Sequence, residues 1–230
     1  MQLIETSAFG VRNANWKFES KHHNITFLLF PMVHVAQPEF YACVSERLRR
    51  CDHILYEGVR SHKAKRLTQS YLQMTKNPRL GLVSQSQMDL KHCKDRLLHA
   101  DIQGESFDER WENLPRRTRI LIAFLAPMTG FYLRHFGTMS MLAQHLSLED
   151  MKSRDELLTD SLEDLDGLLL DKRDVILTEA IENCIATSTQ DQTCVGVLYG
   201  AEHMRAVIWH LTKRHNFYAA KADWIKVFKL

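Results

Sequence analysis

ITFLLFPMVH (Ile25 to His34), HILYEG (His53 to Gly58) and CVGVLYGAEH (Cys194 to His203) decide the fold of this chain. All three are short runs rich in Ile, Val, Leu and Phe, and helix-like segments follow them. That is the pattern of strands buried in an α/β sheet. Each run also carries, at or near its end, a residue able to bind a metal or move a proton: His34, Glu57 and His203. In such sheets ligands gather outside the carboxyl ends of the strands. Two imidazoles and a carboxylate, far apart in sequence, are therefore expected to meet in one cleft.

Outward from these runs, Pro38 to Arg50 reads as an amphipathic helix, with Pro38 in the first turn where its missing N–H costs nothing. Asp52 to Glu57 is the next strand, which predicts a right-handed β-α-β unit. Ser61 to Met74 and Pro78 to Leu90 read as helices, and Leu97 to Ile102 as a weak strand ending at Asp101. From about 107 to 189 the pattern is almost wholly helical, with breaks near Pro115, Pro127, Gly137 and Ser147 and a last helix from Asp171 to about Ala186. Thr193 to Tyr199 returns to the sheet, Glu202 to His215 is a helix, and Tyr218 to Ala220 with Trp224 to Phe228 reads as a closing hairpin. The N-terminal segment is expected to supply an edge strand. The expected architecture is one α/β domain over residues 1–230, a central sheet with flanking helices and a large helical insertion between the early and late strands.

At 230 residues and 45% hydrophobic content the chain can build one substantial core. A formal charge of +2 and a pI near 8.3 create no field that demands a polyanion. The basic clusters RLRR (Arg47 to Arg50) and PRRTR (Pro115 to Arg119) lack the aromatic-basic motif of a nucleic-acid reader, so no nucleic-acid partner is expected. Five cysteines without CxxC spacing suggest neither a zinc ribbon nor a redox dithiol, and the odd number fits a reducing compartment. The first residues show no basic region followed by an apolar run, so a cytoplasmic location is expected. ILIAFLAPMTGFYL (Ile120 to Leu133) falls short of the ~20 residues a spanning helix needs. It reads as a buried helix pair; its other readings are a membrane-surface or partner-facing patch, including a homodimer surface.

Several residues carry candidate chemistry. His203 falls in a first helical turn after Gly200, whose missing Cβ permits a tight turn or the close approach of a ligand. Unpaired N–H groups there disfavour imidazolium, and a neutral imidazole is what a metal or a general base requires. The bland reading is a core histidine bonded to a carbonyl. His34 occupies the same topological position after its own strand. Glu57 stands where a buried strand would otherwise stay apolar, so a cation is expected beside it, with Arg60 or Arg173 as candidates. Arg173 and Asp174 open a helix and Asp101 ends a strand; capping, a solvated face and a turn are their bland readings. His22 and His23 are adjacent and would point oppositely on a strand, His210 lies two helical turns from His203, too far to share a metal, and His62, His92, His99, His145 and His215 have no partner at ligand spacing.

The chain resembles the TraB/PrgY/GumN superfamily, related to TIKI proteins and more distantly to erythromycin esterase-like folds. The elements are PMVH (Pro31 to His34) for a first GxxH, LYEGVR (Leu55 to Arg60) for a strand ending in Glu, DKRD (Asp171 to Asp174) for an acidic-Arg element, and GAEH (Gly200 to His203) for a second GxxH. Two departures stand out: Pro31 replaces the first glycine, and Lys172 replaces an acidic neighbour of Arg173. The resemblance implies hydrolysis of an amide or ester bond in a peptide or small molecule. It makes His34, Glu57, Arg173 and His203 the catalytic set, with Arg60, Asp101, Asp174 and Gly200 around the substrate. One divalent ion, Mn, Co, Zn or Fe, is the cofactor it allows, held by His34, Glu57 and His203 with an open position for water. Without metal, Glu57 would orient one histidine as general base, and Arg173 would hold Glu57 or a substrate oxyanion. The rival reading is a non-catalytic regulator that binds a peptide or a partner protein through the same cleft or the helical insertion.

Overall fold

The computed structural model describes residues 1–59, 61, 63–64, 72–151, 172–188 and 192–230. Its strands are β1 (Ile4–Ser7), β2 (Gly10–Glu19), β3 (Ile25–Met32), β4 (Val35–Ala36), β5 (His53–Tyr56), β6 (Val83–Ser84), β7 (Leu97–His99), β8 (Thr193–Gly200) and β9 (Tyr218–Phe228). Seven form a mixed central sheet, and β4 with β6 forms a small antiparallel pair beside it. Strands β3, β8, β5 and β7 lie side by side and parallel. Their carboxyl ends therefore open on one edge. Val195 to Tyr199 in β8 and all of β3 except Leu28 are buried. Successive side chains point to opposite faces, so the centre of the sheet is covered on both sides.

Six helices are described: α1 (Pro38–Leu48), α2 (Gly104–Asn113), α3 (Arg116–Phe136), α4 (Met139–Met151), α5 (Lys172–Thr187) and α6 (Met204–Arg214). The first buries Phe40, Tyr41, Val44 and Leu48, the stripe that its amphipathic pattern requires. The stripe of α5 runs Arg173, Leu177, Ile181, Ile185, so a guanidinium takes the first place on an otherwise apolar ridge. A satellite cluster of Ile102, Phe107, Trp111 and Leu114 joins α2 to the end of β7.

The antiparallel side departs from the sequence expectation. Residues 10–13 of β2 pair with β1 and residues 16–18 with β3, while β9 pairs along nearly the whole of β2. Since β9 overlaps both partners, it must occupy the other edge. Trp224 to Phe228 and Tyr218 to Ala220 therefore form one strand against β2, with register shifts at Val11/Arg12 and Lys17/Phe18, rather than a hairpin. The β2–β3 ladder stops at Trp16 and Leu29, two residues before Pro31. The buried Asn13 side chain instead donates to the Pro31 carbonyl. The N–H that proline lacks would point to this same side, where no strand remains to accept it.

Further corrections concern helices. Pro78 to Leu90 is not helical; it holds turns, β6 and a short 3₁₀ turn at Gln85–Gln87, and Gly81 takes a φ of 59° that a helix excludes. Of the helix expected over Ser61 to Met74, most residues lie outside those described, and Gln73–Lys76 is a 3₁₀ turn. Pro127 sits inside α3 without ending it, and α4 continues past Ser147. Ile120 to Leu133 is one exposed helix rather than a buried pair, with Ile120 70%, Phe124 65% and Phe131 63% exposed. No helix among the described residues is long and apolar enough to cross a membrane.

All five cysteines are free thiols. Tertiary contact brings the Cys194 Sγ to 3.9 Å from the Cys51 Sγ, a pair that sequence spacing does not reveal.

Gly196, mid-strand in β8, lies under the end of α1. A Cβ there would stand 3.0 Å from Cys51 Sγ and 3.1 Å from Leu48 Cδ2. Gly196→Val is expected to destabilise the protein by about 1–3 kcal/mol in urea unfolding through overpacking. Unchanged stability would mean that α1 does not pack on β8.

Candidate active site at the carboxyl ends of the parallel strands

Four chain segments leave the sheet at its open edge, each with a polar side chain. His34 follows β3, Glu57 is the first residue after β5, Asp101 comes just after β7, and Gly200 ends β8 before the 3₁₀ turn Ala201–His203. The start of α5 lies against them. Arg173 donates from Nη2 to Glu57 Oε1 at 2.5 Å, from Nε to Asp101 Oδ1 at 2.8 Å and from Nη2 to Asp101 Oδ2 at 3.0 Å. Backbone donors complete the group: Gly200 N–H to Glu57 Oε2 at 2.7 Å, Gly58 N–H to Asp101 Oδ2 at 2.9 Å and Ile102 N–H to Asp101 Oδ1 at 2.7 Å. The cation expected beside Glu57 is thus Arg173. Arg60, the other candidate and a predicted substrate contact, lies outside the described residues.

Burial pushes the Glu57 carboxyl up, but the charges of Arg173, His203 and His34 and the Arg173 hydrogen bond outweigh it and hold the group at about 2. Glu57 is therefore an anion at any physiological pH. Gly200 is closely packed: a Cβ would meet Glu57 Oε2 at 3.2 Å, a tight contact, and His203 Cδ2 at 3.5 Å, an ordinary one. The glycine thus lets the backbone N–H approach the Glu57 carboxylate without crowding.

One residue beyond Arg173, Asp174 Oδ1 lies 2.6 Å from His203 Nδ1. His203 is 2% exposed, and its ring stands edge-on to that of Tyr199 at 4.8 Å. With the carboxylate as acceptor, the contact calls for a proton on Nδ1 and turns Nε2 away from Asp174. The Arg173 guanidinium also lies over the Tyr199 ring, 5.6 Å from its centroid. Burial, together with Asp101 and Glu57, raises the Tyr199 phenol far above its ordinary range, although Arg173 acts against this. Tyr199 stays neutral. Its signal in sequence was weak: one aromatic among aliphatics at the end of a strand.

The predicted set is rearranged. Asp101, 3% exposed and engaged by four protein donors, grips Arg173 rather than a substrate. Asp174 orients His203 rather than facing outward. Arg173 is itself buried between two carboxylates and acts on Glu57. His34 is exposed at the rim, and its charge reaches Glu57. The expected metal ligands His34, Glu57 and His203 are not a group whose ligand atoms all lie within 4.8 Å of one another. Among the described residues that distinction belongs to Glu182, which the sequence analysis did not single out, with His210 and His215, which it set aside.

A separate cavity of about 660 Å³ lies at the opposite, amino-terminal ends of the parallel strands, between Thr26, Asp52 and Cys194 and the cations Lys17, Arg47 and Lys221. No family model, curated protein or solved structure matches the chain.

The Glu57 pairing predicts acid sensitivity. Its folded pKa of about 2 lies below the ordinary 4.5, so the stabilisation is fully present above the higher value and is lost as pH falls through the lower one. Wild type should lose about 3 kcal/mol more than Glu57→Gln between neutral pH and about pH 2, read by urea unfolding. Parallel pH curves for the two proteins would show that Arg173 does not hold this carboxylate.

Proposed function

We propose that this chain is a hydrolase of amide or ester bonds, in which His203 acts as general base under the control of Asp174. The observation that carries this reading is the 2.6 Å contact between His203 Nδ1 and Asp174 Oδ1, placed beside the fixed anion Glu57 at the open ends of parallel strands. Nε2 of His203 would take a proton from water as the water oxygen attacks the carbonyl carbon of the substrate. Asp174 and Glu57 then stabilise the imidazolium that forms, as a buried carboxylate does for any histidine base. His34, which is exposed and acts on Glu57 electrostatically, would protonate the departing amine or alkoxide. Arg173 is a positioning residue that keeps Glu57 ionised and aimed.

This reading follows the metal-free branch of the TraB/PrgY/GumN resemblance, and membership of that superfamily is part of the proposal. The donor set supports that branch, because both Glu57 oxygens already accept hydrogen bonds from the protein. A divalent ion shared by His34, Glu57 and His203 is the alternative within the same reading. A cytoplasmic location is proposed with it, supported by five free thiols.

A second reading, a regulator that binds a peptide or partner protein, is favoured by the exposed apolar side chains of α3, including Phe124, Leu125 and Phe131. Hydrolysis separates the two. A screen of aryl esters and short peptides should find turnover that His203→Ala and Asp174→Asn each reduce by about 100-fold or more. Equal activity in all three proteins would remove the catalytic assignment. Undiminished peptide binding without turnover would favour the regulator.

A further inference from the structure

Glu182, two turns along α5 from Asp174, lies between two imidazoles. Its Oε1 is 3.0 Å from His210 Nε2 and 3.0 Å from His215 Nε2. His210 belongs to the buried face of α6, and His215 follows the last turn of that helix. Asn216, at a φ of 54°, reverses the chain there, and the Phe217 N–H donates to the Leu211 carbonyl at 3.0 Å. The turn brings the His215 ring centroid to 5.1 Å from that of His210. One ligand atom from each of the three residues lies within 4.8 Å of the other two.

A second observation concerns the nitrogens. His210 is only 8% exposed. The Nε2 atoms of His210 and His215 are both shielded from solvent, and both lean on the same oxygen of Glu182. They lie at hydrogen-bonding distance from Glu182 but off the direction along which a ring N–H donates. Buried polar atoms are almost always satisfied, and here a single carboxylate oxygen has to serve two imidazoles. A cation between two imidazole nitrogens and a carboxylate oxygen would satisfy all three at once.

We propose that Glu182, His210 and His215 bind a divalent transition-metal ion, with zinc(II) the best match. Two histidines and one carboxylate are a zinc ligand set that leaves a fourth position for water. Magnesium and calcium are disfavoured because they select oxygen ligands. His23, whose ring stands 6.2 Å from that of His215 and stacks on Phe217, lines the same side. Arg214 also acts on the Glu182 charge and is the local competitor of the ion. Eight residues of helix separate Glu182 from Asp174, about 12 Å. The ion would tie the end of α6 to α5, the two elements that hold His203 against Asp174. The site stands whether or not the hydrolase reading does.

Chelator-stripped protein titrated with zinc against a chromophoric chelator is expected to take up one ion per chain and to melt at a higher temperature when loaded. Cobalt(II) in its place should give the visible absorption of a tetrahedral nitrogen and oxygen site. Glu182→Gln and His215→Gln should each weaken zinc binding tenfold or more. Both side chains are partly exposed, 42% and 17%, so folding is expected to survive, with circular dichroism as the check. His203→Ala and Glu57→Gln should bind zinc as wild type does. Wild-type zinc affinity in both the Glu182 and His215 variants, or no uptake by the wild type, would overturn the proposal. Loss confined to the His203 and Glu57 variants would overturn it too, by moving the ion to the strand ends.

Discussion

The burial of Arg173 between Glu57 and Asp101 is the constraint on which the rest of the site depends. Taking these charges out of water costs several kcal/mol per ion, and the hydrogen bonds must return it. They do so because each carboxylate faces both a guanidinium and backbone N–H groups, with Gly58, Ile102 and Gly200 as donors. Removing Arg173 would leave two buried anions unpaired, a loss of about 3–5 kcal/mol. The triad thereby fastens the start of α5 across the ends of β5, β7 and β8. Asp174 follows one residue later, turned about 100° around the helix axis. That rotation carries it out of the triad and onto His203, so the ion triad and the dyad are consequences of a single helix placement.

The sheet has to let this edge open, and its antiparallel half shows how. Because β1 takes over the flank of β2 where β3 leaves it, the last residues of β3 are free of that ladder. Proline is costly in the middle of a sheet but is tolerated at such a position. Pro31, which departs from the GxxH pattern, therefore fits the strand geometry rather than marking damage to it. Asn13 supplies the donor that the carbonyl of Pro31 would otherwise lack.

The parallel half of the fold was legible because its strands are uniformly apolar and end on chemically distinct residues. β3, β5 and β8 fall within a residue or two of their sequence positions, and α5 begins one residue after Asp171. Less legible was anything decided by long-range pairing. Tyr218 to Phe228 holds lysine, aspartate and small residues that look like a turn between two short strands. In the fold β9 lies at the edge of the sheet, where its outer side chains face water and need not be apolar. Likewise Asp101 and Asp174 were found as residues but not as roles, since their partners are fixed by a helix that arrives about 70 positions after the first of them. Glu182, His210 and His215 left no trace as a group, because the last two sit five apart across a helix end that only the Asn216 turn folds back.

The two glutamates show how surroundings assign different chemistry to one side chain. Glu57 is enclosed, carries a guanidinium on one oxygen and a backbone N–H on the other, and is kept charged by them. It is suited to stabilise positive charge that appears during a reaction and then disappears. Glu182 is 42% exposed on the flank of a helix, with two imidazole nitrogens each 3.0 Å from one of its oxygens. Its arrangement lacks a permanent positive charge between the groups, which is what a bound ion would supply. The same helix pair thus has one end where Asp174 meets His203 and another where Glu182 meets two imidazoles. The two ends lie about 12 Å apart along α5, so each keeps its own set of partners and one can be altered without removing the other.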